Sequence, residues 1–241
     1  EIYTLSLHDA LPISSWGVLT GKGVTWGGLN GRTEATGYGI VFFAREMLKA
    51  NGEEIKGKTV AISGFGNVSW GTAQKLNQLG AKLVTISGPD GYIYDEAGIS
   101  GEKVDFMLEL RSSGKNICAP YADKFRGSKF VAGKKPWEVE ADLYIPCATQ
   151  NEINEADAQS FVDRNVKFVC EGSNMSSTNE AIKIMQDGGI IVGPSKAANA
   201  GGVACSCIEM GQNSGKTVFT PEQVYEQLEG IMPAGDRKSV V

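Results

Sequence analysis

Apolar positions along this chain fall into two kinds of run. Over residues 33–50, Ile40, Phe43, Ala44, Met47 and Leu48 recur at the spacing of one helical face. Thr33 stands where a side-chain cap is expected, Glu34 adds negative charge to the first turn, and Gly52 offers the stop. The second kind of run is short and β-branched. Lys58 to Ser63 reads as a strand, Gly64 to Gly66 as a turn, Asn67 to Leu79 as a helix, and Lys82 to Ser87 as the next strand.

The alternation continues. Helices are predicted over 103–111, 155–163, 178–186, 202–212 and 221–230, and strands over 142–146, 167–170 and 190–192. Strands separated by helices imply βαβ units. The predicted fold class is therefore α/β: a doubly wound, mainly parallel sheet with helices on both faces. Ligands of such sheets sit outside the carboxyl ends of the strands. Those ends carry the polar and glycine-rich stretches: Gly64-Phe65-Gly66, Ser87-Gly88-Pro89-Asp90, Cys147-Ala148-Thr149-Gln150, Glu171-Gly172-Ser173-Asn174 and Pro194-Ser195-Lys196. The 31 glycines lie mostly at element ends, as expected of many tight turns.

Composition changes the picture only by exclusion. The 241 residues are 41% hydrophobic and 21% charged, ordinary for a globular domain. A formal net charge of -5 argues against nucleic acid as the main partner. No stretch reaches the ~18 apolar residues of a membrane helix, and residues 1–15 lack the basic start and apolar run of a secretory leader. A cytoplasmic location is the expectation. The five cysteines are odd in number and scattered, unlike a disulfide framework. Cys205-Ser206-Cys207 offers a close pair, but the only histidine is His8, so small packing residues on a helix are preferred to a metal site.

The candidate chemistry begins at Gly64-Phe65-Gly66-Asn67-Val68-Ser69, which fits G-x-G-x-x-[small]. Gly64 permits the turn, Gly66 lets backbone N–H groups approach a pyrophosphate, and small Ser69 lets helix and strand pack closely. Glycines also end strands for purely structural reasons. The position directly after a strand and opening a helix favours a dinucleotide. Gly27 to Gly39 explains less by itself: a capped helix after a loop accounts for Thr33 and Glu34 but not for Arg32 and Thr36. Asn199-Ala200-Gly201-Gly202-Val203 read alone is only a turn and a helix start.

Taken in order, Arg32-Thr33-Glu34-Ala35-Thr36-Gly37-Tyr38-Gly39, Gly64 to Val68, Pro146 to Asn151, Glu171 to Met175 and Pro194 to Val203 are far more specific. With them the chain resembles the hexameric, bacterial type of the glutamate dehydrogenase family, from about Trp16 to about Met232. The resemblance implies a Rossmann-like domain over 16–232, incomplete at its C-terminal end. It implies NAD or NADP as cofactor and glutamate, 2-oxoglutarate and ammonia as reactants, with a homo-hexamer as the full-length protein. Thr36 would hold the nicotinamide carboxamide with Arg32 near it. Gly64, Gly66, Asn67 and Val68 would hold the pyrophosphate. Ala148, Thr149 and Gln150 would line the nicotinamide ribose, and Asn174 would reach the same region. Asn199, Val203 and Ser206 would face the substrate, with Ser206 receiving its far carboxylate.

The family's preceding half, with its catalytic lysine in a glycine-rich loop and its catalytic aspartate, has no match here. No catalytic residue is expected in this chain, and no activity from it alone. Residues 1–15 and part of 233–241 depart from the family and read as non-native tails, the former not expected to pack into the core. Dehydrogenases of leucine, phenylalanine or valine share the cofactor motifs, but an apolar side-chain pocket has no use for the Ser206 hydroxyl. A non-catalytic NAD-binding module is the alternative from another class. Asp90 follows the second strand, and no lysine or arginine lies between Leu83 and Asp95 to receive a 2′-phosphate, so NAD is slightly favoured over NADP.

Overall fold

The computed structural model describes residues 17–239, with side chains described as far as Pro233. The tail expectation for residues 1–15 lies outside these. Seven strands form one sheet: β1 (Thr59–Ile62), β2 (Lys82–Gly88), β3 (Gly91–Tyr94), β4 (Lys129–Ala132), β5 (Leu143–Ile145), β6 (Phe168–Cys170) and β7 (Ile191–Gly193), in the order β4-β3-β2-β1-β5-β6-β7. Every pairing is parallel except β2 with β3 and β3 with β4, so β3 alone runs against the rest. The chain winds outward from β1 to β4, then returns to β1's other side and winds outward through β7. The strand order therefore reverses between β1 and β5.

Alternation along the inner strands sorts side chains to two cores. Val60 and Ile62, Leu143 and Ile145, and Phe168 and Cys170 join the larger one. Ala61, Tyr144 and Val169, the residues between them, join the smaller. This is the period of two that a strand imposes. The larger core is covered by α1 (Ala35–Ala50), α2 (Asn67–Gln78), α3 (Glu102–Ser112), α8 (Gly201–Gly215) and α9 (Pro221–Ser239). The smaller is covered by α5 (Glu155–Asp163) and α6 (Asn179–Asp187). The short helices α4 (Ala119–Lys124) and α7 (Ser195–Ala198) complete the set.

Element boundaries agree with the sequence pattern to within a few residues over most of the chain. Asn154 and Thr178 cap α5 and α6 through their side chains. Three expectations are corrected. Thr33 does not cap α1: the cap position is Glu34, already in helical conformation, where a side chain cannot turn back to the first amides. The Pro89-Asp90 turn leads into the antiparallel ribbon β3–β4, which the sequence reading left without strands. Helix α9 runs beyond Gly230 and past Pro233 to Ser239. Val224, Leu228 and Met232 are all buried, and that packing outweighs the roughly 1 kcal/mol that a glycine costs inside a helix.

Candidate functional site

The loops after β1 and β5 meet at the strand-order reversal. Gly64 has φ +73°, open only to glycine at low cost, and an added Cβ would lie 2.8 Å from Ser69 Oγ and 3.1 Å from Ala148 Cα. Its amide donates to Ser87 Oγ at 2.7 Å, which ties the loop to the end of β2. Gly66 is different. It caps α2 in an ordinary extended conformation (φ -73°), and an added Cβ would meet only the Arg111 guanidinium, 3.4 Å away. The fold itself does not require a glycine there. What the missing side chain leaves is space above the first amides of α2, whose first turn carries no acidic residue. Asn67 and Val68 follow as the first residues of that helix.

A groove of about 390 Å3 opens over this loop, within the usual size of small-molecule sites. Gly64, Phe65 and Gly66 form its floor, Ser87, Gly88 and Pro89 one end, and Cys147, Ala148, Thr149 and Glu152 the other wall; Lys134 and Lys135 close the side. Gln150 is exposed beyond Thr149 and lies outside the groove lining. A larger cavity of about 830 Å3 lies at the opposite, amino-terminal edge of the sheet, among Lys58, Thr59, Asp142, Arg164 and Phe168. Its charged walls pair with each other, as Lys58 and Lys167 do with Glu53, and it is far from the strand ends that bind ligands in this architecture.

Glycine contacts between helices bring other motif residues together beside the start of α2, outside the groove lining. A Cβ on Gly37 would lie 2.3 Å from Thr72 N and 2.5 Å from Val68 O, so α1 rests directly on the first turns of α2. A Cβ on Gly39 would lie 2.7 Å from Gly201 Cα, so the next turn of α1 rests on the start of α8. Between these contacts, Thr36 faces Gly202, where an added Cβ would be 2.5 Å from Thr36 Oγ1 and 3.6 Å from Arg32 Nη1. Arg32 Nε is buried with no hydrogen-bond partner. Ser206, one turn along α8, donates to Gly202 O at 3.1 Å, while Val203 beside it is 69% exposed. Asn199 donates to Asn174 Oδ1 at 2.7 Å, which joins the last two motif segments. Arg32, Thr36, Ser206 and Val203 thus form one cluster, and Asn174 with Asn199 a second, both on the loops and helix starts at the carboxyl edge of the sheet.

Asp90 is corrected. Both of its carboxylate oxygens accept the Cys118 amide at 2.9 Å, and one also accepts the Ala119 amide. The side chain is spent on the start of α4 and does not stand free for a ribose. No cation lies between Leu83 and Asp95, but Lys134 and Lys135 reach the groove from the segment after β4. Sequence distance concealed them. Cys205 is buried and Cys207 exposed, and the Cys205 thiol is pushed up to about 11 by burial.

Sequence reasoning also passed over Glu152, buried in the groove wall. Its Oε1 accepts the Ala148 amide at 3.0 Å. Desolvation raises its pKa to about 7, against the Ser63 hydroxyl and the Ala148 and Thr149 amides, which pull it down. A carboxylate directly after Thr-Gln-Asn was visible in the sequence, but nothing there announced its burial.

A seven-stranded, doubly wound sheet with a glycine-floored groove at its reversal point defines a dinucleotide-binding domain. The model of the Glutamate/Leucine/Phenylalanine/Valine dehydrogenase family matches residues 27–240, and the chain belongs to that family. It is 56% identical over 230 residues to an NAD-specific glutamate dehydrogenase of Bacteroides fragilis, covering 95% of this chain and 52% of that one. It is 51% identical over 218 residues to an NAD-specific glutamate dehydrogenase of Clostridium symbiosum, covering 90% and 48%. A solved glutamate dehydrogenase of Plasmodium falciparum superposes with a TM-score of 0.88 at 40% identity, covering 95% and 49%. The chain spans about half the length of the curated relatives it matches.

Proposed function

We propose that this chain is the NAD(P)-binding half of a glutamate dehydrogenase, and that the whole protein interconverts L-glutamate with 2-oxoglutarate and ammonia. The observation that carries the reading is the groove itself: a backbone cradle at Gly64 to Val68 that the fold leaves open, with Thr36 and Arg32 brought beside it by glycine contacts. The donor set fits a dinucleotide. Amides at the start of α2 suit a pyrophosphate, Ala148 and Thr149 line the ribose side, and the partnerless Arg32 Nε next to Thr36 offers donors to a carboxamide. The bound dinucleotide supplies hydride acceptance and donation. The chain's own residues orient it and present Ser206 to the substrate's far carboxylate, with Val203, Asn174 and Asn199 nearby. Groups for proton transfer belong to the half of the relatives that this chain does not match.

Either NAD or NADP fits, as relatives named NAD-specific, NADP-specific and NAD(P)-specific support. With Asp90 engaged and two lysines in the groove, the electrostatic case for NAD is weaker than the sequence suggested. No helix among the described residues is long and apolar enough to cross a membrane. The full-length protein is read as a cytoplasmic homo-hexamer.

The test is direct. In the full-length protein, glutamate should support NAD(P) reduction and leucine, valine and phenylalanine should not, while Ser206→Ala should raise KM for glutamate. The 241-residue chain alone should bind NADH without turnover, since acid–base groups typically contribute ~10²–10⁴-fold each. Equal rates with glutamate and leucine would refute the substrate assignment, and turnover by the chain alone would refute the division of labour.

A further inference from the structure

The groove wall after β5 is held by an arrangement that binding alone does not require. Ser63, at the end of β1, accepts the Cys147 amide at 2.8 Å and the Ala148 amide at 3.2 Å through its hydroxyl oxygen. Ala148 shares its N–H with Glu152 Oε1 at 3.0 Å. Because the Ser63 oxygen accepts two amides, its own proton is free to be given to the Glu152 carboxylate. The Glu152 backbone carbonyl accepts Lys135 Nζ and Trp137 Nε1, which belong to the opposite wall. One buried residue thereby connects the end of β1, the loop after β5 and the segment after β4, which are three of the groove's sides.

We propose that Glu152 is a positioning residue for the dinucleotide: as a carboxylate it holds the Ala148–Thr149 edge in register with the Gly64–Gly66 loop, and once protonated it releases that edge. The inference rests on the reading of the groove as the cofactor site. Glu152 is 7% exposed and needs two N–H or O–H donors to remain charged in that environment. It has the Ala148 amide and the Ser63 hydroxyl. Protonation turns one acceptor oxygen into a donor, and that donor faces the Ala148 N–H, which is itself a donor, and the Ser63 oxygen, whose lone pairs already accept two amides. The Ala148 edge is then held only by its longer hydrogen bond to Ser63, and the cofactor must order it on binding.

Among the described residues around it, this group is the one poised to respond near neutrality. Lys135 faces it from the segment after β4 and is partnered by Asp157 of α5. Lys134 is paired with Glu138 and exposed. The Cys147 thiol, bonded to Thr72 of α2, is driven far above neutrality by burial. Ser63, just after β1, and Thr72 do not titrate. The sole histidine, His8, lies outside the described residues. Burial brings Glu152 to about 7, within the range where solution pH switches it.

The test is NADH affinity by fluorescence titration of this chain between pH 6 and 8.5, in the wild type, Glu152→Gln, Glu152→Ala and Gly66→Val. The wild type should bind several-fold more tightly at pH 8.5 than at pH 6, with a midpoint near 7. Glu152→Gln keeps an acceptor oxygen without a charge, and its affinity should be flat across the range. Glu152→Ala should bind weakly at every pH, while circular dichroism shows the fold retained. A Glu152→Gln profile that keeps the wild-type slope overturns the proposal, as does a flat wild-type profile. If NADH binding ignores Gly66→Val as well, the groove reading fails with it. If only Gly66→Val weakens binding, the groove stands and the role of Glu152 falls.

Discussion

Replacing Gly66 with valine separates what the fold needs from what the ligand needs. At this position φ is -73°, so a side chain meets no backbone penalty, and its Cβ would approach only the mobile end of Arg111. Losing a glycine at a helix cap costs up to about 1 kcal/mol, and the stiffer unfolded chain returns about 0.4–1 kcal/mol. The net change in stability should fall within about 1 kcal/mol, a melting shift of no more than ~2–4 °C for a chain of this size. Binding should respond differently. The branched side chain stands over the amides that would donate to a pyrophosphate, and a hydrogen bond to a charged group is worth ~1.5–3 kcal/mol. That corresponds to a roughly 10- to 150-fold weaker NADH affinity. Thermal melting and NADH fluorescence titration on the same sample measure the two effects. Unchanged affinity at unchanged melting temperature would show that the phosphates lie elsewhere. If valine unfolds the chain, Gly66→Ala answers the same question with one carbon.

Gly37→Ala should do the reverse: its Cβ would lie 2.3 Å from the Thr72 backbone, so α1 must lift from α2 at a cost of ~1–3 kcal/mol, partly offset by alanine's better helix propensity. A melting temperature equal to wild type would show that the contact yields freely. Asp90→Ala removes the acceptor for the Cys118 and Ala119 amides and should cost ~2 kcal/mol, while the ratio of NAD to NADP affinity changes by less than about threefold; a larger change would return Asp90 to the ribose. Glu152 has a pKa raised in the folded state to about 7 from 4.5. Its favourable contribution is therefore complete below 4.5 and lost as pH rises through 7, amounting to on the order of 3 kcal/mol. Glu152→Gln should gain on wild type in melting temperature between pH 5 and 8, and parallel curves would contradict the assignment.

The two periods of the apolar pattern were enough to read the βαβ series, because each inner strand is flanked by helices and both of its faces are buried. Residues 91–132 were harder. Gly91-Tyr92-Ile93-Tyr94 is only four residues long, and Lys129-Phe130-Val131-Ala132 is half exposed at the sheet edge, so neither has the apolar weight that marks an interior strand. The site divided in the same way. Gly64 and Gly66 belong to a local turn whose spacing is visible in sequence. Lys134, Lys135 and Glu152 reach the groove from other elements and are polar residues in unremarkable surroundings. Gly37 and Gly39 were legible as part of a motif but not as contacts, since what they touch lies about 35 and 160 positions further along the chain.

Net charge gave no hint of how this chain meets an anion. At -5 overall, it should repel a dinucleotide's phosphates. The carboxyl edge of the sheet resolves the conflict by direction. Three acidic side chains there are turned inward onto backbone amides: Asp90 onto Cys118 and Ala119, Glu152 onto Ala148, and Glu171 onto Ser177 at 2.8 Å and Ser195 at 3.2 Å. Those hydrogen bonds hold the loops and leave little carboxylate surface facing the groove. What faces outward is the start of α2 without an acidic residue, the Arg111 guanidinium beside Gly66, and Lys134 and Lys135 along the wall. A cation beside the positive end of a helix is unfavourable until an anion sits between them. The bound pyrophosphate would satisfy the helix and the guanidinium together, and the acidic remainder of the surface, beyond a Debye length of about 8–10 Å at ordinary salt, would oppose it only weakly.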